Sequence, residues 1–434
     1  MQGQNQKGRP PALCIFRCIM PGKPTHPALF MVLAMPHGIM TTGLIGTVVG
    51  FLLRQDGVPV PRISQIISIL LLPGSLFFLW SPVTDFGLRR KHWFLLAAAI
   101  GATALFAAFN VARLGSRSAI VLLLLAAGVC VLTRACDGGL MSSVVAEEHK
   151  TRVSGFHNSG VLFAGALGGA GILILAQHWS RPAVGAVAAL CVVIPALGVL
   201  RVDEGRPIEH PGGLAERLRL MGTEFQSTFF RWKTLPAILL LVAPLGSGAA
   251  ISLLPSIARD YGVSGSQVAW INGVSGSLLM AAGAFLMGLL PLKVDVRIAF
   301  SATALLNQMT LGILLLGHPR PITYLCGTLL FLFTIGATWA LVTAVILKVM
   351  GPAGASGGTR YALLQSVATS AVASMAWIDG LGYKYFGPEG LPGIDMTVGG
   401  LSAVAFLAWF WWDGRRIAAA TPLAGGPAFN QLQS

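Results

Sequence analysis

The sequence predicts an all-α membrane protein in which twelve transmembrane helices form two pseudo-symmetric six-helix bundles. Three observations predict this fold class: an apolar composition, twelve apolar runs of spanning length, and landmarks that recur about 205 residues apart. The composition indicates that the protein lies in a membrane, the runs predict its helices, and the landmarks predict how the helices are grouped.

The composition is too apolar for a water-soluble protein of 434 residues. Hydrophobic residues make up 54% of the chain, charged residues only 11%, and the mean hydropathy is +0.73. Soluble domains carry about 25% charged residues, because much of their folded surface must face water. A lipid bilayer removes that requirement, so the first predicted partner of the chain is the bilayer itself.

Twelve apolar runs supply the helices, because only a helix satisfies its own backbone over these lengths of lipid. The first six lie at 28–53, 63–80, 93–112, 118–141, 154–177 and 183–200. The second six lie at 234–257, 267–290, 297–316, 322–347, 361–384 and 397–412. The predicted organisation is therefore a tail 1–27 without a removable signal peptide, a bundle 28–200, a linker 201–233, a bundle 234–412 and a tail 413–434. Within the linker, 214–229 has the spacing of an amphipathic helix on the membrane surface, and a plain solvated linker is the alternative.

The net charge of +14 comes from basic residues in the short gaps between apolar runs, which excludes the clustered basic face of a nucleic-acid-binding protein. With the N-terminus inside, 21 of the 30 Lys and Arg residues fall in cytoplasmic segments and 8 in external ones. This excess predicts that both termini are cytoplasmic, in a bacterial inner membrane.

Two landmarks recur in the second half of the chain. Arg54-Gln-Asp-Gly-Val58 follows the first run, and Arg259-Asp-Tyr-Gly-Val263 follows the seventh. Thr151-Arg152 opens the fifth run, and Thr359-Arg360 opens the eleventh. Such parallel repeats of six helices occur in transporters whose binding site lies between the halves near the membrane midplane.

The segment between the second and third runs reads Trp80-Ser-Pro-Val-Thr-Asp85-Phe-Gly-Leu-Arg89-Arg-Lys91. A carboxylate followed by cations can pair with neighbouring helix ends and latch one face, so Asp85, Arg89 and Arg90 are predicted gating residues. The alternative is that the cations only keep the loop inside and that Asp85 is solvated.

This segment resembles the motif that joins helices 2 and 3 in the major facilitator superfamily. Residues 50–93 also resemble a narrower branch, which contains the AmpG-type muropeptide permeases, the acetyl-CoA transporters and some siderophore importers. The resemblance implies a secondary transporter with alternating access, whose cavity is lined by helices 1, 4, 7 and 10.

The fourth run contains Arg134 and Asp137, which are three residues apart and can pair on one helix face. Charged residues inside a membrane cost several kcal/mol and usually face a wet cavity. The string also resembles the helix 4 motif of proton-coupled facilitators, which implies a coupling role for both residues. A purely structural ion pair is the alternative.

Other polar residues within the runs are candidates for contacting a solute. Pro36-His37-Gly38 in the first run is expected to break the helix locally and to free backbone groups. The candidate substrate-binding residues are His37, Thr41, His157, Asn158, Asn272, Trp339 and Gln365. Asp379, the acid of the eleventh run, is expected near the outer end of its helix.

These features predict a transporter of a small organic solute and not an enzyme. The predicted mode is either symport, with protons as the coupling ion, or facilitated passage. The sequence does not choose among three substrates: a muropeptide-like sugar peptide, a siderophore and a drug. Efflux of a drug or metabolite is the alternative to import. The glycine run 354–359 lacks the Lys of a nucleotide loop, no zinc spacing occurs among the six cysteines, and no cofactor or metal is predicted. A membrane-embedded transferase and a non-transporting sensor or assembly factor are the alternatives from other classes.

Overall fold

The computed structural model describes residues 25–58, 60–111, 113–204, 234–291, 294–351 and 357–420, with 219, 222, 223 and 226 in the linker. These described residues form twelve long helical segments and no strand, which confirms the predicted fold class. We number the segments α1 to α12.

The first six segments form the N-terminal half. The α1 segment covers 29–55 and ends with Gly50–Gln55. The next five are α2 (Val60–Leu76), α3 (Arg90–Asn110), α4 (Arg117–Val144), α5 (Lys150–His178) and α6 (Arg181–Ala196). Short 3₁₀ turns follow α2 and α6 and precede α5.

The second six segments form the C-terminal half. Here α7 consists of two pieces, α7a (Leu235–Val242) and α7b (Ala250–Ile257). The α8 segment covers 265–289 and ends with Gly276–Leu289. The last four are α9 (Val296–Leu316), α10 (Pro321–Met350), α11 (Gly357–Phe386) and α12 (Gly390–Ala420).

Eight of the helices that the structure describes are long and apolar enough to cross a membrane, counting α11 and α12 as one run. The α1 and α2 segments contain shorter apolar helices. Several helices extend beyond the predicted apolar runs, since polar residues at each end continue the helix into the loop region. The predicted tail from 413 is one such case, because α12 continues to Ala420.

Two predictions fall mainly outside the described residues. The tail 1–27 is described from residue 25 only, and the four described positions of the linker are helical and exposed. The amphipathic character predicted for 214–229 therefore stays a prediction.

The widest interruption of a helix lies in α7, whereas the sequence predicted a local break in α1, where the interruption is a single residue. Residues 243–249 separate α7a from α7b, and Gly246 and Gly248 adopt positive φ values of 58° and 74°, which favour glycine. In α1 the interruption is Ala34 alone, between Leu29–Leu33 and Met35–Gly38, and Pro36 lies in the first turn of the second piece, where its missing N–H costs no hydrogen bond. A π-helical stretch, Ile39–Val49, then continues α1.

The two halves meet along two seams. In one seam α5 packs against α8 and α10, and in the other α4 and the α2–α3 connection pack against α11. A Cβ added to Gly155 of α5 would overlap the backbone of Gly288 in α8, and one added to Gly138 of α4 would overlap the ring of Tyr361 in α11. Small residues therefore set the approach of the halves, as in other membrane helix pairs.

We expect Gly155→Val to destabilise the protein by about 2 kcal/mol, because the new side chain must push α8 away. The midpoint of thermal unfolding in detergent measures this effect. Gly171→Val is the matched control, since Gly171 lies on the same helix with open space around it. Equal stability of the two variants would contradict the close α5–α8 contact.

Candidate functional site

A cavity of about 160 Å³ lies between the two halves, beside the break in α7. Residues from α4, α5, α7, α9, α10 and α11 line it, so both halves contribute. Its polar and aromatic lining residues include Arg134, Asn158, Ser247, Trp339, Thr343, Gln365 and Thr369. Pockets for drug-sized ligands measure roughly 300–1,000 Å³. The cavity in this conformation therefore admits a larger solute only after the halves move.

Two polar groups in the cavity wall lack a hydrogen-bond partner among the described residues. One is the Nε–H of Arg134, a donor, and the other is Oε1 of Gln365, an acceptor. Buried polar groups are nearly always paired in native proteins, and exceptions mark sites that await a ligand or water. The wall thus offers a cationic donor from one half and an amide acceptor from the other.

A buried carboxyl–imidazole pair lies in the N-terminal half. Oδ2 of Asp137 in α4 is 2.7 Å from Nδ1 of His157 in α5, and each residue is 1% exposed. A short contact between two titratable groups in a dry setting holds a proton between them, and the charge of one group depends on the state of the other. The pair can therefore take up or release a proton when its surroundings open to water.

The predicted ion pair between Arg134 and Asp137 is wrong, because the structure pairs Asp137 with His157. Arg134 still contributes to the electrostatic field at Asp137, but its side chain lies near Tyr361 of α11 and borders the cavity. Arg134 and Asp137 do lie close together along α4. The hydrogen-bond partner of Asp137, however, lies on α5, 20 residues further along the sequence.

His37 lies behind the cavity in α1, within electrostatic reach of Arg134 and His157. It is buried, and its Nδ1 has no hydrogen-bond partner among the described residues. Thr41 donates its hydroxyl proton to the backbone carbonyl of His37 at 2.7 Å, so its side chain serves its own helix. The structure thus gathers His37, Arg134, Asp137 and His157 into one cluster.

The α2–α3 connection closes one end of the molecule. We call this the basic end; it comprises the α2–α3, α4–α5, α8–α9 and α10–α11 connections. Asp85 accepts the backbone N–H of Gly358 at 3.0 Å, and from Thr359 it accepts the backbone N–H and the hydroxyl proton, both at 2.8 Å. These donors begin α11, where the helix dipole also favours a negative charge. A single carboxylate of one half therefore caps a helix of the other.

Arg90 orients this carboxylate, and Arg89 does not. The Nε and one Nη of Arg90 lie 3.2 Å from Oδ1 of Asp85, whereas Arg89 is the residue that precedes α3 as its N-cap. Gly87, with a φ of 73°, turns the chain between the two. The structure therefore brings Asp85 and Arg90 together without Arg89, and the gating role predicted for the three residues stays a prediction.

Further hydrogen bonds join the halves at the basic end. Lys150, a buried lysine at the start of α5, donates to the carbonyl of Leu347 at 3.1 Å. Ser142 donates to the carbonyl of Gly351 at 2.8 Å. Nearer the cavity, the amide of Asn158 donates to the Thr343 hydroxyl at 2.8 Å. The conformation is accordingly closed at the basic end.

Asp295, in the α8–α9 connection, occupies the place in the second half that Asp85 has in the first. Its carboxylate accepts from Arg297 at 3.1 Å and from Lys348 at 2.9 Å, so it binds within its own half. Partial burial alone raises the pKa of Asp295, but the bonds from Arg297 and Lys348 outweigh it and lower that pKa below its usual value. The stability that it adds is present at neutral pH and is lost on acidification.

Of the predicted substrate contacts, the structure brings Asn158, Trp339 and Gln365 to the cavity wall. It places Asn272 elsewhere, since the Asn272 amide donates to the Tyr324 hydroxyl at 2.8 Å between α8 and α10.

Ser247 also lines the cavity, and the sequence did not predict it. Pro244, Gly246 and Gly248 around it are the sequence signal of an interrupted membrane helix.

We expect His157→Ala to destabilise the protein by about 3 kcal/mol, because it leaves the Asp137 carboxyl buried without its partner. Asp137→Asn in the same chain should recover part of this loss, since the amide is neutral. His178→Ala, an exposed site at the end of α5, is the control. Thermal unfolding in detergent gives the comparison, and additive losses from the two substitutions would argue against the pair.

Two solved structures share this architecture. The crystal structure of the human organic anion transporter MFSD10 (TETRAN) matches with a TM-score of 0.61 at 15% sequence identity, over 87% of this chain and 98% of that one. The E. coli fucose:proton symporter FucP matches with a TM-score of 0.61 at 13% identity, over 88% of this chain and 98% of that one. No protein-family model matches the sequence, and no curated protein does. At these identities the likeness concerns the fold, and the chain has the twelve-helix fold of major facilitator transporters.

Proposed function

We propose that the protein is a secondary transporter, which moves a small organic solute through the membrane by alternating access between its halves. The cavity carries this proposal: residues of both halves line it, two of its polar groups lack partners, and hydrogen bonds close it at the basic end. A membrane-embedded enzyme would instead need reactive groups gathered at one membrane face.

The lining supports a solute that carries an anionic group. Arg134 is the charged side chain of the lining, and the polar groups of Asn158 and Gln365 are neutral. A carboxylate or phosphate of the solute can satisfy the free Nε–H of Arg134, while its hydroxyl or amide groups meet Gln365. Trp339 offers an aromatic face for a sugar or aromatic ring. MFSD10 is an organic anion transporter, and that class of substrate agrees with the chemistry of this cavity.

Within this class we propose a muropeptide-like sugar peptide or a siderophore as the substrate, taken up in the direction of the cytoplasm. The support is the resemblance of residues 50–93 to AmpG-type permeases and siderophore importers, together with the cationic cavity. Both kinds of solute carry several carboxyl or hydroxamate-type oxygens. We place the basic end on the cytoplasmic side of a bacterial inner membrane, following the distribution of Lys and Arg.

Protons are the proposed coupling ion, and Asp137 with His157 is the proposed carrier. The pair lies beside Arg134, so a change in its protonation alters the field at the residue that meets the anionic solute. His37 extends the same cluster towards α1. The symport of fucose with protons by FucP agrees with this mode of energy coupling.

The transport proposal predicts uptake that a pH gradient drives. Purified protein in proteoliposomes should accumulate at least one member of a panel that contains anhydromuropeptides, ferric siderophores and simple organic anions. Asp137→Asn should abolish accumulation driven by the gradient and retain exchange of labelled for unlabelled solute. Asp260→Asn, an exposed acid of the second half, is the control. If Asp137→Asn kept full gradient-driven uptake, the coupling role would be wrong.

The latch proposal predicts that Asp85→Asn opens the basic end. Hydrogen bonds to a charged group contribute about 1.5–3 kcal/mol, so a loss of about 2 kcal/mol shifts the equilibrium between closed and open states roughly 30-fold. Distances between spin labels at Glu148 and Leu290, which are exposed at the basic end of each half, measure this shift.

Asp295→Asn is the matched control for the latch, because it removes a paired acid at the same end without touching the other half. We expect the control to keep the distance distribution of the unaltered protein. Identical distributions for Asp85→Asn and Asp295→Asn would remove Asp85 from the gating mechanism.

A further inference from the structure

Two acids meet inside the second half, away from the cavity. Asp379 of α11 is 0% exposed and Asp395 of α12 is 1% exposed, and their side chains interact directly. The other groups at Asp395 are the side chain of Gln308 in α9 and the backbone N–H of Ala250 at the start of α7b. Among the described residues, no cationic side chain faces the two acids.

The donors near this cluster do not reach its oxygens in ordinary hydrogen-bond geometry. None of the four carboxyl oxygens of Asp379 and Asp395 accepts a hydrogen bond of ordinary geometry from the described residues, and neither does Oε1 of the buried Gln308. Two carboxylates at about 4 Å repel by roughly 4 kcal/mol at an effective dielectric constant of 20, and burying each ion costs several kcal/mol more. One shared proton removes the repulsion and supplies the missing donor.

The cluster is adjacent to the interrupted part of the cavity wall. Val372 lines the cavity, and Asp379 follows it by about two turns of α11. Gly246 and Ser247 in the break of α7 also line the cavity, and Ala250 begins α7b immediately beyond the break. The positive end of the α7b dipole points to Asp395, so the force on α7b depends on whether this acid is ionised.

We propose that Asp379 and Asp395 form a carboxyl dyad that shares one proton, a second protonation site that controls the position of α7b beside the cavity. The consequence for transport rests on the proposed function, whereas the proton on the dyad is measured without any solute. A failure of the dyad and a failure of the transport proposal are therefore distinguishable.

Infrared difference spectroscopy of the full chain in lipid nanodiscs tests the shared proton. At neutral pH the unaltered protein should show a carbonyl band of protonated aspartic acid that Asp379→Asn removes, because the new amide donates to Asp395 and leaves it ionised. Asp260→Asn, the exposed acid, should keep the band. A band of unchanged intensity in Asp379→Asn would overturn the proposal.

A bound monovalent cation is the competing occupant of these oxygens. NaCl at constant ionic strength should leave the thermal stability of the unaltered protein unchanged if a proton occupies the dyad. A stabilisation by Na⁺ that Asp379→Asn abolishes would instead reveal a cation site and refute the shared proton.

Hydrogen exchange of 250–257 tests the link to α7b. When the dyad loses its proton at alkaline pH, exchange there should change at least several-fold in the unaltered protein relative to Asp379→Asn at the same pH. Equal exchange in the two proteins would remove the control of α7b.

The unaltered protein also gives a test that needs no variant to fold. The dyad holds a proton in the native state and loses it on unfolding. The free energy of unfolding should therefore fall as the pH rises over the range in which the dyad titrates. Stability that rises over the same range, in parallel with loss of the aspartic acid band, would contradict the dyad.

Discussion

A polar group inside a lipid-spanning bundle must find its partner within the protein, and this constraint explains every feature of the candidate site. One oxygen of Asp137 meets it with His157, and Asp85 meets it with the half-buried donors at the start of α11. It is left unmet at several places: the unpaired groups of Arg134 and Gln365 border the cavity, and others, on Asp379 and Asp395, lie inside the second half. Bilayers make such omissions costly, so the two at the cavity indicate a site that a solute or water completes.

The same constraint connects the fold to the proposed transport cycle. The proposed latch at the basic end is made of hydrogen bonds between the two halves, and one cluster of buried apolar residues also runs from the first half into the second. Such bonds can be exchanged for bonds to water when the halves separate, because the donors and the acceptor lie near the membrane surface. Rotation of two halves about their interface is a known form of large conformational change, and it is the movement that the transport proposal requires.

The fold could be predicted from the sequence because its determinants are local. Twenty apolar residues in succession specify a spanning helix, and the recurring Thr151-Arg152 and Thr359-Arg360 pairs mark the same helix start in each half. Thr359 of the second pair proved to be a partner of Asp85. The gating cluster was also local, since Asp85 and Arg90 are five residues apart in one connection.

The remainder of the site depends on contacts between distant helices, which spacing along the chain does not specify. Asp137 was assigned to Arg134 because both lie on one helix, but a buried imidazole on the next helix lies closer. Asp395 was not singled out, since its meaning comes from Asp379 on another helix. Pro244, Gly246 and Gly248 indicate the break in α7 from the sequence, but the break was predicted only at the similar Pro36 and Gly38 of α1. Pro36 stands near a helix start, where proline is harmless, and Gly38 serves close packing against α5.

The most direct test of the account measures both ends of the molecule in one sample. Spin-label pairs across the basic end and across the opposite end, in lipid nanodiscs, report how far the halves separate on each side. The account predicts reciprocal populations, in which a condition that widens one end narrows the other around the same cavity. Both ends widening together, or neither responding to pH and solute, would contradict alternating access between two rigid halves.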